Sequence, residues 1–380
     1  MSLTADLPQT AAPHARDPLR AVRGDFPDLP VSTVVRHRLN RGLTAARDAA
    51  ITFVQAPSGA GKTTGVAAWA GAIPADEPVI WISVDSRPHC LHPFWSRLRS
   101  SLIDTGVGPL PIAPLPGTDP EWSAWISILA GRLTQHGRRC LVVLDDFPVG
   151  PSCQLGDQVT QLASQAEDCL HLIIISSASP AIDVDKLQAD RACTRLDPEL
   201  LAMSDREVAA ALSATGGHHV QPEAVSAVRA HTFGWARGVM LAARMMSASI
   251  DEQQPNLDRQ ALVPPLADLD RALDALIERD VLATLPPATR ELVIRTSVAD
   301  QVPADLARAV LDEDQPSGTA VVDRNRGFVD QTADGSLRCH PLLRRAALRR
   351  LGPLPARVGR TRRMVGFAPH PNGRAGRCLP

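Results

Sequence analysis

The sequence predicts an α/β fold in which a parallel sheet with helices on both faces is followed by a helical subdomain and a smaller domain of helices and a hairpin. Three observations support this. Short apolar runs alternate with helical patterns between about residue 50 and residue 200. The pattern becomes helical after Ser204, and a stretch from Leu266 onward combines helical periodicity with two short extended segments.

The sheet is predicted from apolar runs whose spacing leaves room for crossover helices, such as Phe94–Ile103 and Glu121–His136. Strands joined by helices of this kind run parallel. The predicted strands, in chain order, are Ile51–Gln55, Val79–Val84, Cys140–Leu144, Leu172–Ser176 and a short Cys193–Leu196. We assign residues 31–200 to this domain.

A phosphate-binding loop is predicted directly after the first of these strands, before a helix from Lys62 to Trp69. It reads Ala56-Pro57-Ser58-Gly59-Ala60-Gly61-Lys62-Thr63-Thr64, with alanine at the first glycine of the usual pattern. Glycines let successive N–H groups face phosphate oxygens, the lysine adds a positive charge near the β- and γ-phosphates, and the first threonine offers a hydroxyl to Mg²⁺. The positive end of the following helix faces the same anion. The predicted nucleotide-binding residues are Gly59, Ala60, Gly61, Lys62, Thr63 and Thr64, and the domain is a P-loop NTPase sheet.

Two acids end the apolar run Cys140–Leu144, namely Asp145 and Asp146. Ligands bind at the carboxyl ends of strands in open α/β sheets. We therefore expect Asp145 to hold Mg²⁺ together with Thr63, and Asp146 to orient or activate the attacking water, with Lys62 as the second catalytic residue. The alternative is a surface turn that carries two solvated acids.

Composition limits the remaining functions. The net charge is −1 and no apolar run reaches 18 residues, so composition indicates neither nucleic-acid nor membrane binding. Seven cysteines without a CxxC pair are typical of reduced thiols, and residues 1–30 lack the apolar segment of a signal peptide. We expect a cytoplasmic protein whose residues 1–30 form a disordered leader.

The part after residue 200 divides into four predicted segments. Ser204 and Glu207 form a capping box that opens a helical subdomain, residues 201–250, which includes a helix Val239–Met246. A polar, proline-bearing linker, residues 251–265, follows. Residues 266–351 are predicted to be winged-helix-like. Their predicted elements are helices Ala288–Ser297, Pro303–Leu311 and Pro341–Leu351 and hairpin arms Phe328–Gln331 and Ser336–Cys339 around Asp334-Gly335. Residues 352–380 are basic; we expect disorder there, the alternative being a nucleic-acid-binding tail.

Taken in order, these motifs resemble the MalT-like members of the STAND class of P-loop ATPases, which occur in LuxR-type transcription regulators. The resemblance runs from about Val34 to Leu351. The motifs that carry it include Val35–Leu39, the phosphate loop, Leu144–Phe147, Thr232–Gly238 (with Phe233 replacing an acid) and His340–Leu343. It implies binding of ATP or ADP with Mg²⁺. It also implies that His340 approaches the phosphates.

Three departures from the family shape the expected function. First, Ser177 stands where the family often has an arginine that senses the γ-phosphate. Second, the sequence stops before the helical-repeat sensor and the helix-turn-helix that family members usually have. Third, residues 352–380 do not match the family. We expect an ATP/ADP-binding switch module of an incomplete regulator, with weak or slow ATP hydrolysis. Alternatives are a P-loop kinase acting on a small molecule and a non-hydrolysing scaffold. Self-association or a regulatory protein partner stays open, and we expect no direct DNA binding.

Overall fold

A computed structural model describes residues 22–30, 32–74, 76–84, 91–106, 119–150, 152–184, 187, 193–216, 220–252, 266–285, 287–297, 299, 301–303, 327–331 and 336–351. Its first part is a six-stranded, wholly parallel sheet with the strand order β1-β3-β4-β5-β2-β6. These strands are β1 Val22–Gly24, β2 Ile51–Gln55, β3 Val79–Ser83, β4 Cys140–Asp145, β5 Leu170–Ser176 and β6 Cys193–Arg195. Among the described residues, no helix combines the length and the apolar character that a bilayer crossing would need.

Helices cover both faces of the sheet, as predicted. Every residue of β4 and β5 is buried, which explains why these strands are mainly apolar and show no regular alternation with polar residues; His171 is the one interior polar residue. One face packs against helices rich in tryptophan, and the other packs against the first two helices and the later domains in one continuous apolar core. The helices are α1 His37–Ala45, α2 Lys62–Ala70, α3 Leu91–Asp104, α4 Asp119–His136 and α5 Gln154–Gln165.

One strand corrects the prediction of a disordered leader over residues 1–30. Val22–Gly24 pairs in parallel with β3, and the Phe26 ring packs edge-on against Trp81 at a centroid distance of 5.4 Å. A three-residue edge strand carries no measurable periodicity, so the sequence pattern could not reveal it. Residues 1–21 of the predicted leader and the predicted tail, residues 352–380, lie outside the described residues.

The helical subdomain contains α6 Asp205–Gly216, α7 Pro222–Thr232 and α8 Ala236–Glu252. The capping box is present: the Ser204 backbone N–H donates to the Glu207 carboxylate at 2.8 Å. Helix α8 starts at Ala236, before the predicted Val239, and ends at Glu252, inside the predicted linker. Gly238 lies within this helix, and a Cβ there would lie 3.1 Å from the Leu273 side chain. The rest of the predicted linker lies outside the described residues.

The last domain has the predicted winged-helix character. Its elements are α9 Leu266–Asp280, α10 Pro287–Thr296, β7 Gln301–Val302, β8 Val329–Gln331, β9 Leu337–Cys339 and α11 Pro341–Leu351. The hairpin partners β8 and β9 pair antiparallel as predicted, and β7, which has two residues and was not predicted, adds to the free edge of β9. The predicted turn Asp334-Gly335 and all but Pro303 of the predicted helix Pro303–Leu311 lie outside the described residues.

Candidate functional site

The phosphate loop connects β2 to α2 and turns through two glycines in the left-handed region. Gly59 has φ +80° and Gly61, directly before α2, has φ +82°. A side chain would be strained at either position. A Cβ at Gly59 would also lie 2.9 Å from the Trp235 ring, so conformation and space both require glycine there.

Lys62 lies inside the loop. Its ammonium donates to the Ala56 carbonyl oxygen at 2.7 Å and to the Pro57 carbonyl oxygen at 3.2 Å. Burial lowers the Lys62 pKa to about 8, against the opposing effect of Asp146 and Asp145. A buried ammonium with these surroundings is suited to an anionic ligand. Burial destabilises the positive charge of Lys62, and the negative charge of phosphate oxygens would stabilise it again.

Thr63 and Asp145 meet at the carboxyl edge of the sheet. The Thr63 hydroxyl donates to Asp145 Oδ1 at 3.1 Å, although β5 separates the strands that precede them. Burial and the neighbouring Asp146 raise the pKa of the Asp145 carboxyl, while the bond from Thr63 opposes this. A hydroxyl and a carboxylate oxygen fit Mg²⁺, which binds through few protein ligands plus phosphate and water. No group of three or more histidine, cysteine or acidic side chains that could hold a metal occurs among the residues the structure describes.

Asp146 is exposed and adopts φ +53°, which is uncommon for a residue with a side chain. Its backbone N–H donates to Asp145 Oδ1 at 3.0 Å, so the strained turn fixes the neighbouring carboxylate. Strain of this kind is found at functional sites. The structure therefore brings Lys62, Thr63, Asp145 and Asp146 into one cluster.

The end of β5 meets the winged-helix domain instead of presenting a cation. A Cβ at Gly327, which has φ +79°, would overlap the Ser177 carbonyl oxygen and would lie 3.0 Å from the Pro57 Cα. The turn before β8 thus rests on the phosphate loop and on Ser177. Only a glycine permits this approach of two backbones.

His340 is linked to the loop through other aromatic rings. Its ring centroid lies 5.4 Å from that of Phe328, which in turn lies 5.6 Å from that of Trp235. The Trp235 indole N–H donates to the Ser58 carbonyl oxygen at 3.0 Å. The His340 Nδ1 accepts from the Leu342 N–H at 3.2 Å, and burial lowers its pKa to about 4. His340 is therefore a neutral imidazole at the start of α11, and its ring lies next to that of Phe328.

Sequence reasoning missed several residues of the site. Arg36 is buried, pairs with Glu207 at 3.3 Å and donates to the Leu201 carbonyl oxygen at 2.7 Å, close to the loop. Trp235 is buried, as an ordinary core residue would be, but its indole N–H also binds the loop. The segments that resemble the family contain Arg36 and Trp235, so the resemblance was a signal for both. No local pattern marks Gly327.

Fold and site together define a P-loop NTPase sheet domain followed by a winged helix. The family model for the MalT winged helix domain matches residues 278–357. The chain is 28% identical over 296 residues to the serine/threonine-protein kinase PknK of Mycobacterium tuberculosis, covering 75% of this chain and 25% of that protein. It is 21% identical over 293 residues to the HTH-type transcriptional regulator MalT of Vibrio parahaemolyticus, covering 76% of this chain and 31% of that one.

One solved structure is similar to part of this chain. The crystal structure of a STAND protein with a tetratricopeptide repeat sensor from Pyrococcus horikoshii matches 85% of this chain and 43% of its own, with a TM-score of 0.43 and 13% identity. The winged-helix match and the MalT relatives confirm the resemblance found in the sequence: the chain is similar to MalT and contains a winged-helix match of the MalT kind. It spans 25% and 31% of the lengths of the two curated relatives.

Proposed function

We propose that the chain is an ATP/ADP-binding switch module of a MalT-type transcription regulator, with Mg²⁺ as cofactor and slow ATP hydrolysis. The observation that carries the proposal is the hydrogen bond from Thr63 to Asp145, beside the buried ammonium of Lys62. A nucleoside triphosphate needs such an ammonium for its phosphate groups, and its metal ion needs such a pair of oxygen ligands. Similarity to MalT over about three quarters of the chain supports a regulatory role.

Each residue of the cluster has a role in the proposal. Lys62 and the N–H groups of Gly59, Gly61, Thr63 and Thr64 bind phosphate oxygens, and the start of α2 adds its positive end. Ala60, also predicted to bind the nucleotide, shapes the loop instead, because its N–H donates to the Pro57 carbonyl oxygen at 3.1 Å. Thr63 and Asp145 would hold Mg²⁺, which neutralises phosphate charge when bound. Asp146, exposed next to them, orients the attacking water.

Slow hydrolysis follows from the surroundings of Ser177. A cation near the γ-phosphate stabilises charge in the transition state of phosphoryl transfer, and serine supplies none. The carbonyl of Ser177 faces the backbone at Gly327. Binding would persist while turnover is low. The non-hydrolysing scaffold remains the limiting case of this proposal.

The switch consists of contacts between the loop and the later domains. Pro57 meets the turn at Gly327, and Ser58 is bonded by Trp235, whose ring contacts Phe328. Nucleotides that bind the docked and undocked arrangements with different affinities would shift the balance between them. In this proposal His340 does not contact the nucleotide itself, and it is coupled to the phosphate loop through the ring of Phe328.

No described contact favours the kinase alternative. A kinase would need arginines on a lid over the nucleotide, whereas Arg97 pairs with Asp25 at 2.7 Å and donates to the Ser83 carbonyl oxygen at the end of β3. The relative named as a kinase matches this chain over only 25% of its own length. A cytoplasmic location and a regulatory partner or self-association belong to the same proposal and depend on it.

Calorimetry with ADP and ATP, with and without Mg²⁺, tests the proposal on the full chain. We expect binding by the wild type, a loss of roughly 10- to 100-fold in Lys62→Ala, and loss of the Mg²⁺ dependence in Asp145→Asn. Equal affinities of wild type and Lys62→Ala, or no binding, would contradict it. Phosphate release measured in parallel separates the switch from the scaffold, and transfer to an added acceptor faster than release would favour a kinase.

A further inference from the structure

Four consecutive carbonyl oxygens of the phosphate loop, those of residues 56–59, accept hydrogen bonds. The oxygens of Ala56 and Pro57 accept from the Lys62 ammonium, and Pro57 also accepts from the Ala60 N–H at 3.1 Å. An anion site needs this arrangement, because a carbonyl oxygen facing a phosphate would repel it.

The other two carbonyl oxygens are held from the helical subdomain. The Trp235 indole N–H donates to the Ser58 oxygen at 3.0 Å, and the Arg237 backbone N–H donates to the Gly59 oxygen at 3.0 Å. The segment 235–237 also leaves no room for a side chain at Gly59, where a Cβ would lie 3.0 Å from the Arg237 Cβ. Direct hydrogen bonds and close packing therefore join this segment to the loop.

Peptide geometry makes these two bonds relevant to phosphate binding. The C=O and N–H of one trans peptide point in opposite directions. The Ser58 carbonyl points toward Trp235, so the N–H of the same peptide, that of Gly59, points away from Trp235. The Gly59 carbonyl points toward Arg237, so the Ala60 N–H points away from Arg237. That last N–H does point toward the lysine side of the loop, where it meets the Pro57 oxygen.

Arg237 extends the connection to the last domain. Its guanidinium pairs with the Asp280 carboxylate at 2.7 Å, and Asp280 is the final residue of α9. This residue lies inside the region that matches the MalT winged helix model. One residue thus contacts the phosphate loop through its backbone and the winged-helix region through its side chain.

We propose that Trp235 is a positioning residue for phosphate binding, and that Arg237 and Asp280 couple this positioning to the winged-helix domain. The inference rests on the proposed nucleotide-binding function. Trp235 acts through the Ser58 peptide and touches no phosphate itself. Loss of its N–H lets the loop peptides rotate, so the amide donors are no longer set in advance.

The test compares Trp235→Phe with the matched control Trp125→Phe. Trp125 is also a buried tryptophan, but its indole nitrogen has no hydrogen-bond partner among the described residues. Both variants lose the same ring area, and only the first loses a hydrogen bond. We expect ADP binding to weaken about 3- to 10-fold in Trp235→Phe and to stay within twofold of wild type in Trp125→Phe. The change in tryptophan fluorescence on adding ADP should be lost only in the former.

Asp280→Asn tests the second half of the proposal and alters no core side chain. We expect ADP binding about 2- to 3-fold weaker, since the pair is partly exposed. If Trp235→Phe fails to fold, this variant decides alone whether the segment 235–237 influences phosphate binding, on which both halves of the proposal depend. Wild-type affinity in Trp235→Phe, or in Asp280→Asn, overturns the corresponding half. Absence of binding by the wild type would instead overturn the proposed function.

Discussion

Replacing Gly327 by alanine should undock the winged-helix turn from the phosphate loop without changing a loop residue. The new Cβ would overlap the Ser177 carbonyl oxygen and crowd the Pro57 Cα, and both obstacles are backbone atoms that cannot rotate away. The turn must lift. Phe328, which is buried and follows directly in the chain, would lose its contact with Trp235.

The expected cost has two parts. A left-handed φ of +79° costs alanine about 1 kcal/mol relative to glycine. Undocking is the second part: loss of the aromatic pair costs about 0.5–1.5 kcal/mol, and exposure of the Phe328 side chain costs up to about 3 kcal/mol. Gly137→Ala is the matched control, because Gly137 has φ +69° and nothing within 4 Å of an added Cβ. The control should show only the first part.

Urea unfolding of both variants measures this difference in the free energy of unfolding. We expect a loss of about 1 kcal/mol for Gly137→Ala and of about 2–5 kcal/mol for Gly327→Ala. Hydrogen exchange should become faster around Pro57 and Ser177 in the second variant alone. If both variants lose equal stability and exchange alike, the turn does not rest on the loop and the docking model is wrong.

Two predictions concern pH. Lys62 has a pKa of about 8 in the free protein, and bound phosphate raises it, so nucleotide binding takes up a proton. ADP affinity should fall as the pH rises through 8, and a flat profile from pH 7 to pH 9.5 would contradict this. Burial lowers the pKa of His171 from 6.5 to about 4, with its Nδ1 bonded to the Ala49 carbonyl at 2.6 Å. As the pH falls, His171 is therefore protonated in the unfolded chain before it is protonated in the folded chain. Its contribution to the free energy of unfolding is fully present above pH 6.5 and declines by about 3 kcal/mol toward pH 4. Urea midpoints should fall less over this range in His171→Gln, and equal declines would contradict the assignment.

The sheet and its site were largely predictable because their signals are local. The strand Ile51–Gln55 and the helix Pro341–Leu351 have the predicted bounds. The glycines of the loop and the acids after β4 are adjacent in sequence to the strands that position them. The meeting of Thr63 with Asp145 follows from parallel strands, whose carboxyl ends share one edge. The domain bounds and the nucleotide remain predictions.

The remaining elements had no local signal. The edge strands Val22–Gly24 and Gln301–Val302 are too short to show a period, and they are set by the neighbours that pair with them. Trp235 resembled an ordinary core residue, because burial alone explains an apolar ring. Its bond to Ser58 depends on how two domains pack.

The sequence alone determined most of the strands and helices in their order along the chain, the phosphate loop with its acid partner, and the resemblance to MalT. Each of these depends on residues that are neighbours in the sequence. The tertiary structure alone decided that Gly327 lies on Ser177 and that Trp235 and Arg237 hold the loop. Contacts between residues so distant in the chain depend on the shared apolar core that brings the domains together, and no short stretch of sequence encodes that arrangement.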